Sequence, residues 1–297
     1  MVALPDPTYI GWRLAAVLML AVLALSAYAQ EGLPQLDEKI DLSESASKQL
    51  RATFSGPESP TALTLSSKTN SLLVGLLPDG FRDSCGKMNE YWGGKQNETQ
   101  WSVRLLNVAH EKTTVRPLLV FRCTSSEVND ATHTPYYDER PALLQMDDQA
   151  AFLTFIPLAA KGCSQCYDLY RVEFVETLPV EHGELIELRI NTSDDVPNSS
   201  AIDHYDREAL LWVALPQVHV ALQVDSHNES SNCDGEDCSE QVCASQVRDS
   251  RDESGHVAEI TNITTCTVDE VEHPAETARY VWKPAAAHFE KTGAAKP

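Results

Sequence analysis

The chain has 297 residues, 44 of them acidic and 23 basic, and a formal net charge of −21. This negative charge repels the phosphates of nucleic acids and anionic lipid headgroups, so neither is expected as a partner. Hydrophobic residues make up 42% of the sequence, enough to build a core and to argue against global disorder. The acidity favours solubility, a basic partner or an association with calcium.

An apolar run near the N-terminus is typical of a secretory signal peptide. It covers residues 14–25, follows Arg13 and leads into small residues that predict cleavage after Ala29. Because a membrane-spanning helix needs about 20 apolar residues, an uncleaved anchor is the less favoured alternative. We expect a secreted, extracellular protein, or one kept in the secretory-pathway lumen, with no membrane span once residues 1–29 are removed.

Cysteines and asparagine sequons both fit that compartment. An even number of cysteines in an oxidising environment predicts a disulfide framework. They are Cys85, Cys123, Cys163, Cys166, Cys233, Cys238, Cys243 and Cys266. Spacing suggests that the last four form bridges among themselves, and the C-x-x-C of Cys163 and Cys166 is interpreted as structural. Five N-x-[ST] triplets predict a glycoprotein, with acceptors at Asn97, Asn191, Asn198, Asn228 and Asn262.

The first half of the mature chain shows recurrent strand patterns. A polar N-terminal segment, 30–60, contains either a short helix over 43–54 or an edge strand over 49–54. Residues 61–160 are expected to form a first β-sandwich domain. Its predicted strands cover 61–66, 71–77, 101–108, 118–123 and 151–156.

The second half alternates apolar and polar residues more clearly. In 170–175 and 185–190 every second residue is apolar, and 210–215 with 218–225 suggests a tight hairpin. Further strands are expected at 257–265 and 279–283. They would form a second β-sandwich domain over 161–285, followed by a C-terminal tail over 286–297. No helical period persists beyond three turns, so the fold class is all-β: an antiparallel β-sandwich or jelly roll, in two tandem domains or one large one.

One stretch, 225–255, departs from this pattern. It carries nine acidic and two basic residues and few apolar ones, so we expect a long acidic loop stapled by its cysteines. Its beginning resembles half of a calcium-binding loop, but Ser230 and Gln241 stand where carboxylates are needed. The weak calcium candidates are Asn232, Asp234, Glu236 and Asp237.

No motif identifies a catalytic centre. A G-x-S-x-G elbow, an H-E-x-x-H pair and a glycine-rich phosphate loop are all missing from the sequence. Adjacent acids such as Asp138-Glu139 and Asp147-Asp148 are interpreted as solvated surface. Four aromatic residues in predicted loops are candidates for a contact surface, with core packing as the equally weighted alternative. They are Tyr91, Trp92, Tyr136 and Tyr137.

These patterns favour a non-catalytic role. We expect a recognition module, or an accessory ectodomain subunit, that binds a protein or glycan partner; a membrane protein is one such partner. One alternative is a secreted hydrolase that acts on glycans or peptides. Another is a calcium-dependent adhesion module, and calcium is the one cofactor considered.

Overall fold

The fold is all-β and antiparallel, as the sequence predicts. A computed structural model describes residues 39–54, 65–91, 93–95, 98–111, 114–129, 134–146, 151–158, 169–194, 204–234 and 237–292. These residues form three helices and fourteen strands, arranged in two sheets. None of the described helices is long and apolar enough to cross a membrane.

The helices and the five-stranded sheet come first in the chain. The helices are α1 (Glu44–Phe54), α2 (Ser67–Val74) and α3 (Asp79–Tyr91). The strands are β1 (Lys39–Asp41), β2 (Gln100–Glu111), β3 (Thr114–Asn129), β4 (Thr134–Met146) and β5 (Ala151–Phe155). Their order across the sheet is β1-β5-β4-β3-β2.

The nine-stranded sheet follows. Its strands are β6 (Leu169–Val180), β7 (Gly183–Asp194), β8 (His204–Leu215), β9 (His219–Asp234), β10 (Asp237–Arg251), β11 (Val257–Val268), β12 (Val271–Glu272), β13 (Glu276–Lys283) and β14 (His288–Thr292). Their order is β14-β13-β11-β10-β9-β8-β7-β6, and β12 pairs with β11 alone. The chain passes from one sheet to the other within 159–168, outside the described residues, so the two-domain boundary predicted there stays a prediction.

Three helices cover one face of the five-stranded sheet, where the sequence predicted mostly strands. In α1, Leu50 and Phe54 are buried one turn apart. Of the two alternatives for 43–54, the structure therefore shows the helix. The apolar run 71–77 was predicted as a strand; this is wrong, because Ser66 caps α2 by accepting from the amide of Thr69. Of the strand predicted over 61–66, residues 61–64 lie outside the described part and Leu65 is not in a strand.

The third helix is fixed to the sheet covalently. Phe81 and Cys85 lie one turn apart on its buried face, and Cys85 is bonded to Cys123 of β3. The Pro-Asp-Gly sequence of 78–80 is typical of a turn. Here it begins a helix instead, because the Pro78 carbonyl accepts from the amides of Phe81 and Arg82. These short helices depend on the sheet, because an isolated helix of 8 to 13 residues is marginal in water.

The five-stranded sheet is buried on both faces. In β3, Leu119 and Phe121 face the helices, whereas Leu118 and Val120 face the nine-stranded sheet. The second core packs them against β6, β7 and β8, with Leu188 among its fully buried members. The result is a layer of helices, a middle sheet and an outer sheet that share two hydrophobic cores.

The nine-stranded sheet also folds over a core of its own. This third core joins β6, β7, β8 and β9 to β11, β13 and β14. A β-bulge at Ala221 moves the register between β8 and β9, so Val220 pairs with Val213 while Leu222 pairs with Trp212. Val218 and Val220 therefore pack against the second core, and Leu222 and Val224 against the third. Strict alternation along 218–225 predicts that these four residues share one face. That prediction is wrong, because a single extra residue reverses the side-chain alternation.

The acidic stretch 225–255 is not a loop. Residues up to Asp234 continue β9, those from Asp237 to Arg251 form β10, and the two strands pair as a hairpin. Neighbouring strands satisfy the backbone hydrogen bonds on the other edges, so polar residues can extend the sheet with few buried apolar side chains.

Candidate functional site

Two clusters of polar and charged side chains stand out, one at the junction of the sheets and one in a cleft of the nine-stranded sheet. At the junction, Asp138 and Glu139 of β4 are 0% and 1% exposed. The Glu139 carboxylate accepts from Arg104 of β2 at 3.1 Å and from Arg122 of β3 at 2.6 Å. The interpretation of this acid pair as solvated surface is therefore wrong, because arginines on the neighbouring strands compensate the charge of the buried Glu139 carboxylate.

The junction cluster caps the free edge of β6. The amide of Tyr170 donates to Asp138 at 3.0 Å, and the amide of Val172 donates to Glu139 at 2.8 Å. Arg104 in turn donates to the Val172 carbonyl at 2.9 Å. Charged side chains thus occupy edge positions that a further strand would otherwise use, which joins the two sheets and protects the edge.

Aromatic rings are part of the same junction. Tyr137 lies between two guanidinium groups, 4.3 Å from that of Arg122 and 5.1 Å from that of Arg171. Tyr136 and Tyr137 belong to β4 and are half-buried, so their predicted position in a loop is wrong. Tyr91 is the last residue of α3, and its side chain lies outside the described part, as does Trp92. The Tyr137 ring is committed to the sheet junction, which leaves the cleft as the better candidate for a contact surface.

The cleft opens where β9 and β10 separate. Their pairing ends at His227 and Ala244; before this point β9 pairs with β8, and beyond it β10 pairs with β11. The space between the diverging strands has a volume of about 420 Å³, within the usual range for ligand sites. One wall is formed by Gln223, Val224, Asp225, His227 and Asn228, and the other by Cys243, Ser245, Asn262, Thr264 and Tyr280.

A buried ion pair forms part of this lining. Arg207 of β8 is 4% exposed, and its Nε donates to Asp225 at 2.6 Å while its Nη2 donates to the same oxygen. The Asp225 side chain keeps 39% of its surface exposed, so it is the solvent-facing half of the pair. The pair places a fixed dipole in the cleft at no net charge.

The opposite wall carries a chain of hydrogen bonds. Ser245 and Thr264 share a hydrogen bond of 2.8 Å across β10 and β11, and the Asn262 amide donates to Thr264 at 3.3 Å. Asn262 is only 9% exposed, and its Oδ1 has no hydrogen-bond partner. The Oδ1 of Asn228 is also buried without a partner. Since an unpaired buried acceptor costs about 1–3 kcal/mol, two of them in one cleft need an explanation.

Two of the five predicted glycosylation sites, Asn228 and Asn262, are these cleft asparagines. A glycan is attached at the amide nitrogen and needs open solvent, so the burial of Asn262 conflicts with glycosylation there. Asn191 is half-buried in β7, and the side chains of Asn97 and Asn198 lie outside the described part. Apart from Asn262, glycosylation stays a prediction.

The second disulfide lies in the same wall. Cys243 is bonded to Cys266, directly opposite it in the β10–β11 ladder, with a Cα–Cα distance of 4.1 Å. This bridge lies within the group of four that spacing suggested. The backbone register also places Cys233 opposite Cys238, while Cys163 and Cys166 lie outside the described residues. Disulfides are confirmed, and they are typical of proteins that fold in an oxidising compartment.

The calcium candidates lie at the tip of the β9–β10 hairpin. Asn232, Asp234 and Asp237 have strand backbone, and Glu236 lies outside the described residues. Paired strands differ from the irregular loop that calcium-binding loops of this type require. Within the described ranges no group of three His, Cys, Asp or Glu side chains could hold a metal ion.

One carboxyl near the third core has a perturbed pKa. Partial burial raises the pKa of Glu187 above its usual value, and repulsion from Glu176 and Asp249 adds to this effect. A hydrogen bond of 2.9 Å from the Trp212 indole opposes it, with a smaller opposing contribution from Arg189. Glu187 does not line the cleft, so it offers no acid for chemistry on a ligand bound there.

Sequence reasoning missed most of the cleft. Arg207, Asp225 and Ser245 carry no local signal, because their meeting depends on strands that are distant in sequence. Asn262 and Thr264 do carry a local signal. They are two residues apart in the predicted strand 257–265, so both lie on the same face and make that part of it polar. Comparison with known proteins identifies no relative: this chain matches no protein-family model, no curated protein and no solved structure.

Proposed function

We propose that this protein is a secreted or lumenal glycoprotein that acts as a non-catalytic recognition module, or as an accessory ectodomain subunit. It binds a protein or glycan partner in the cleft between β9 and β10. The supporting observation is the pair of unpaired buried amide oxygens, on Asn228 and Asn262, in a cleft of about 420 Å³. A partner that donates hydrogen bonds to these two oxygens would remove the cost of leaving them unpaired, and this favours the complex.

The lining supports binding rather than catalysis. A general acid or base needs a group that can gain or lose a proton beside the reacting atom. A nucleophile needs a base within hydrogen-bond reach, and among the described lining residues no hydrogen bond joins the His227 ring to a Ser or Thr hydroxyl. Fixed dipoles and amides are groups that orient a ligand.

Binding tests this proposal directly. Purified protein from a eukaryotic cell is applied to a glycan array and a peptide array, with Asn262→Leu as the cleft variant. Asn107→Ala is the matched control, because Asn107 lies on β2 in the other sheet. We expect specific binding that is lost with Asn262→Leu and kept with Asn107→Ala. Equal binding by all three proteins would place recognition elsewhere.

The two alternative functions have their own readouts on the same samples. Turnover of fluorogenic glycosides or peptides, abolished by substitution of a cleft residue, would contradict a non-catalytic role and favour a hydrolase. A melting temperature that rises with calcium and falls with EDTA would favour a calcium-dependent adhesion module. We expect neither turnover nor a calcium-dependent shift.

A further inference from the structure

The unused hydrogen-bonding capacity of the cleft defines the chemistry of its ligand. Asn228 and Asn262 each carry a buried amide oxygen without a donor, and Asp225 presents the exposed part of its carboxylate. The hydroxyl groups of Ser245 and Thr264 are already bonded to each other. A ligand that satisfies both amide oxygens must therefore bring at least two hydrogen-bond donors.

Asn262 can meet such a donor with little rearrangement. Its Nδ2 is held by Thr264 at 3.3 Å, a long and weak bond, while its Oδ1 lacks a partner. The terminal torsion of an amide side chain is broad, so a small rotation presents the oxygen to the cleft at low cost. A bound donor would then fix the side chain in that position.

The charge of the cleft points to a neutral ligand. The guanidinium of Arg207 is nearly buried and is neutralised by Asp225, so the described lining offers no unpaired cation to an anion. The net charge of −21 further disfavours anionic ligands. A cationic ligand would have to compete with Arg207 for the same carboxylate. Hydroxyl groups need no countercharge.

The lining is also poor in the anchors that peptides use. Peptide sites have apolar pockets for side chains. Here Val224 and Tyr280 are the main apolar contributions, and both also belong to the third core or pack against it. One tyrosine ring among amides and hydroxyls suits a compact polar molecule with a single apolar face.

We propose that the cleft binds a neutral saccharide through its hydroxyl groups. They donate to the amide oxygens of Asn228 and Asn262, and the Arg207–Asp225 pair orients a further hydroxyl. This inference rests on the proposed function, since it names the ligand class of the same cleft. The saccharide belongs to a glycan of the partner, which the cleft recognises at one terminal or branch unit.

The experiment uses saccharides as probes. Methyl glycosides of galactose, mannose and N-acetylglucosamine, and their short oligomers, are titrated into the full secreted chain by calorimetry and saturation-transfer NMR. Protein from the bacterial periplasm, where disulfides form without N-glycans, is measured in parallel because both cleft asparagines lie in sequons. We expect at least one probe to bind with a Kd of about 1 mM or below, in the weak range for a single small ligand.

Three variants locate the binding. Asn262→Leu and Asn228→Leu should each weaken it at least about tenfold, which corresponds to about 1.4 kcal/mol. Asn107→Ala, on β2 in the other sheet, should leave the affinity within about twofold of wild type, a change of under about 0.5 kcal/mol. Melting temperatures and circular dichroism establish that each variant is folded.

The outcomes separate the two proposals. Saccharide binding that survives both asparagine variants would overturn the assignment to the cleft. If no saccharide binds while array peptides bind and depend on Asn262, the ligand class is wrong and the recognition function stands. If neither class of probe binds in a manner that depends on the cleft asparagines, both proposals fail.

Discussion

The sheet junction and the cleft hold similar residues in different surroundings. Each holds an arginine against a carboxylate on a neighbouring strand, Arg122 with Glu139 in one and Arg207 with Asp225 in the other. At the junction, backbone amides of β6 take up further carboxylate oxygens, so Glu139 is surrounded by donors from three strands. In the cleft, β9 and β10 diverge, and the amide oxygens of Asn228 and Asn262 are buried without a donor. Strand register, more than residue type, decides whether a polar cluster is structural or is left available to a ligand.

The largest expected effect on stability comes from breaking the junction cluster around Glu139. Glu139→Gln leaves Arg104 and Arg122 without their buried countercharge, so we expect a loss of about 3–5 kcal/mol in the free energy of unfolding. Denaturant titration measures it. Glu173→Gln is the matched control on β6: Glu173 is exposed, its nearest ion pair is 3.8 Å to Arg189, and its loss should cost under about 1 kcal/mol. Equal losses for the two variants would contradict the account of the junction.

The two disulfides found among the described residues extend the comparison. Cys85 and Cys123 are both fully buried between α3 and β3, and replacing both with alanine should cost about 2–5 kcal/mol. The bridge of Cys243 and Cys266 is half-exposed and joins strands already held by their backbone ladder, so its removal should cost less. Under limiting reductant, alkylation and mass spectrometry should find Cys243 modified before Cys85. Reduction in the reverse order would contradict the contrast between a closed and an open region.

Asn262→Leu tests the cleft through its effect on the free energy of unfolding rather than on binding. Leucine branches at the same atom as asparagine and removes the unpaired oxygen, at the expense of the weak bond to Thr264. We therefore expect the free energy of unfolding to stay within about 1 kcal/mol of wild type, or to rise. A loss as large as that expected for Glu139→Gln would mean that Asn262 is a structural residue.

The smallest effect concerns Glu187 and pH. Because its pKa is raised in the folded protein above the usual 4.5, the folded state holds the proton more tightly than the unfolded state. The stabilisation that protonated Glu187 contributes is fully present below pH 4.5 and is lost as the pH rises through the pKa of Glu187 in the folded protein. Glu187→Gln keeps an acceptor for Trp212 and should melt above wild type at pH 7, with the difference shrinking below the usual pKa. A difference that does not vary with pH would show that ionisation of Glu187 is not its cause.

The sequence predicted the fold class and most strands of the described chain. Alternation in 170–175 and 185–190 was sufficient, because one face of each strand enters the same core. A helix over 43–54 was one of two stated alternatives, and the two later helices were missed since they are short. The apolar run 71–77 fits either element, and the capping role of Ser66 decides between them. The stretch 225–255 was mistaken for a loop because polar residues form strands when partners on both sides satisfy the backbone.

The candidate site was far less predictable. Burial of Glu139 depends on arginines 35 and 17 residues away in sequence, and strand register alone brings these groups together. The cleft depends on the point at which β9 and β10 separate, next to a bulge between Glu208 and Ala209 in the β8–β9 pairing. Neither the end of a pairing nor a one-residue bulge leaves a signature in local composition.

The most direct test of the cleft as a recognition site combines affinity and stability in one pair of variants. The best-binding array probe is titrated calorimetrically into wild type, Asn262→Leu and Asn107→Ala, and the melting temperature of each protein is recorded. The account predicts that Asn262→Leu stays folded with nearly wild-type stability and loses at least about tenfold in affinity, or about 1.4 kcal/mol, while Asn107→Ala retains it. Unchanged affinity in a folded Asn262→Leu variant would contradict it, because the unpaired amide of the cleft would then have no part in binding.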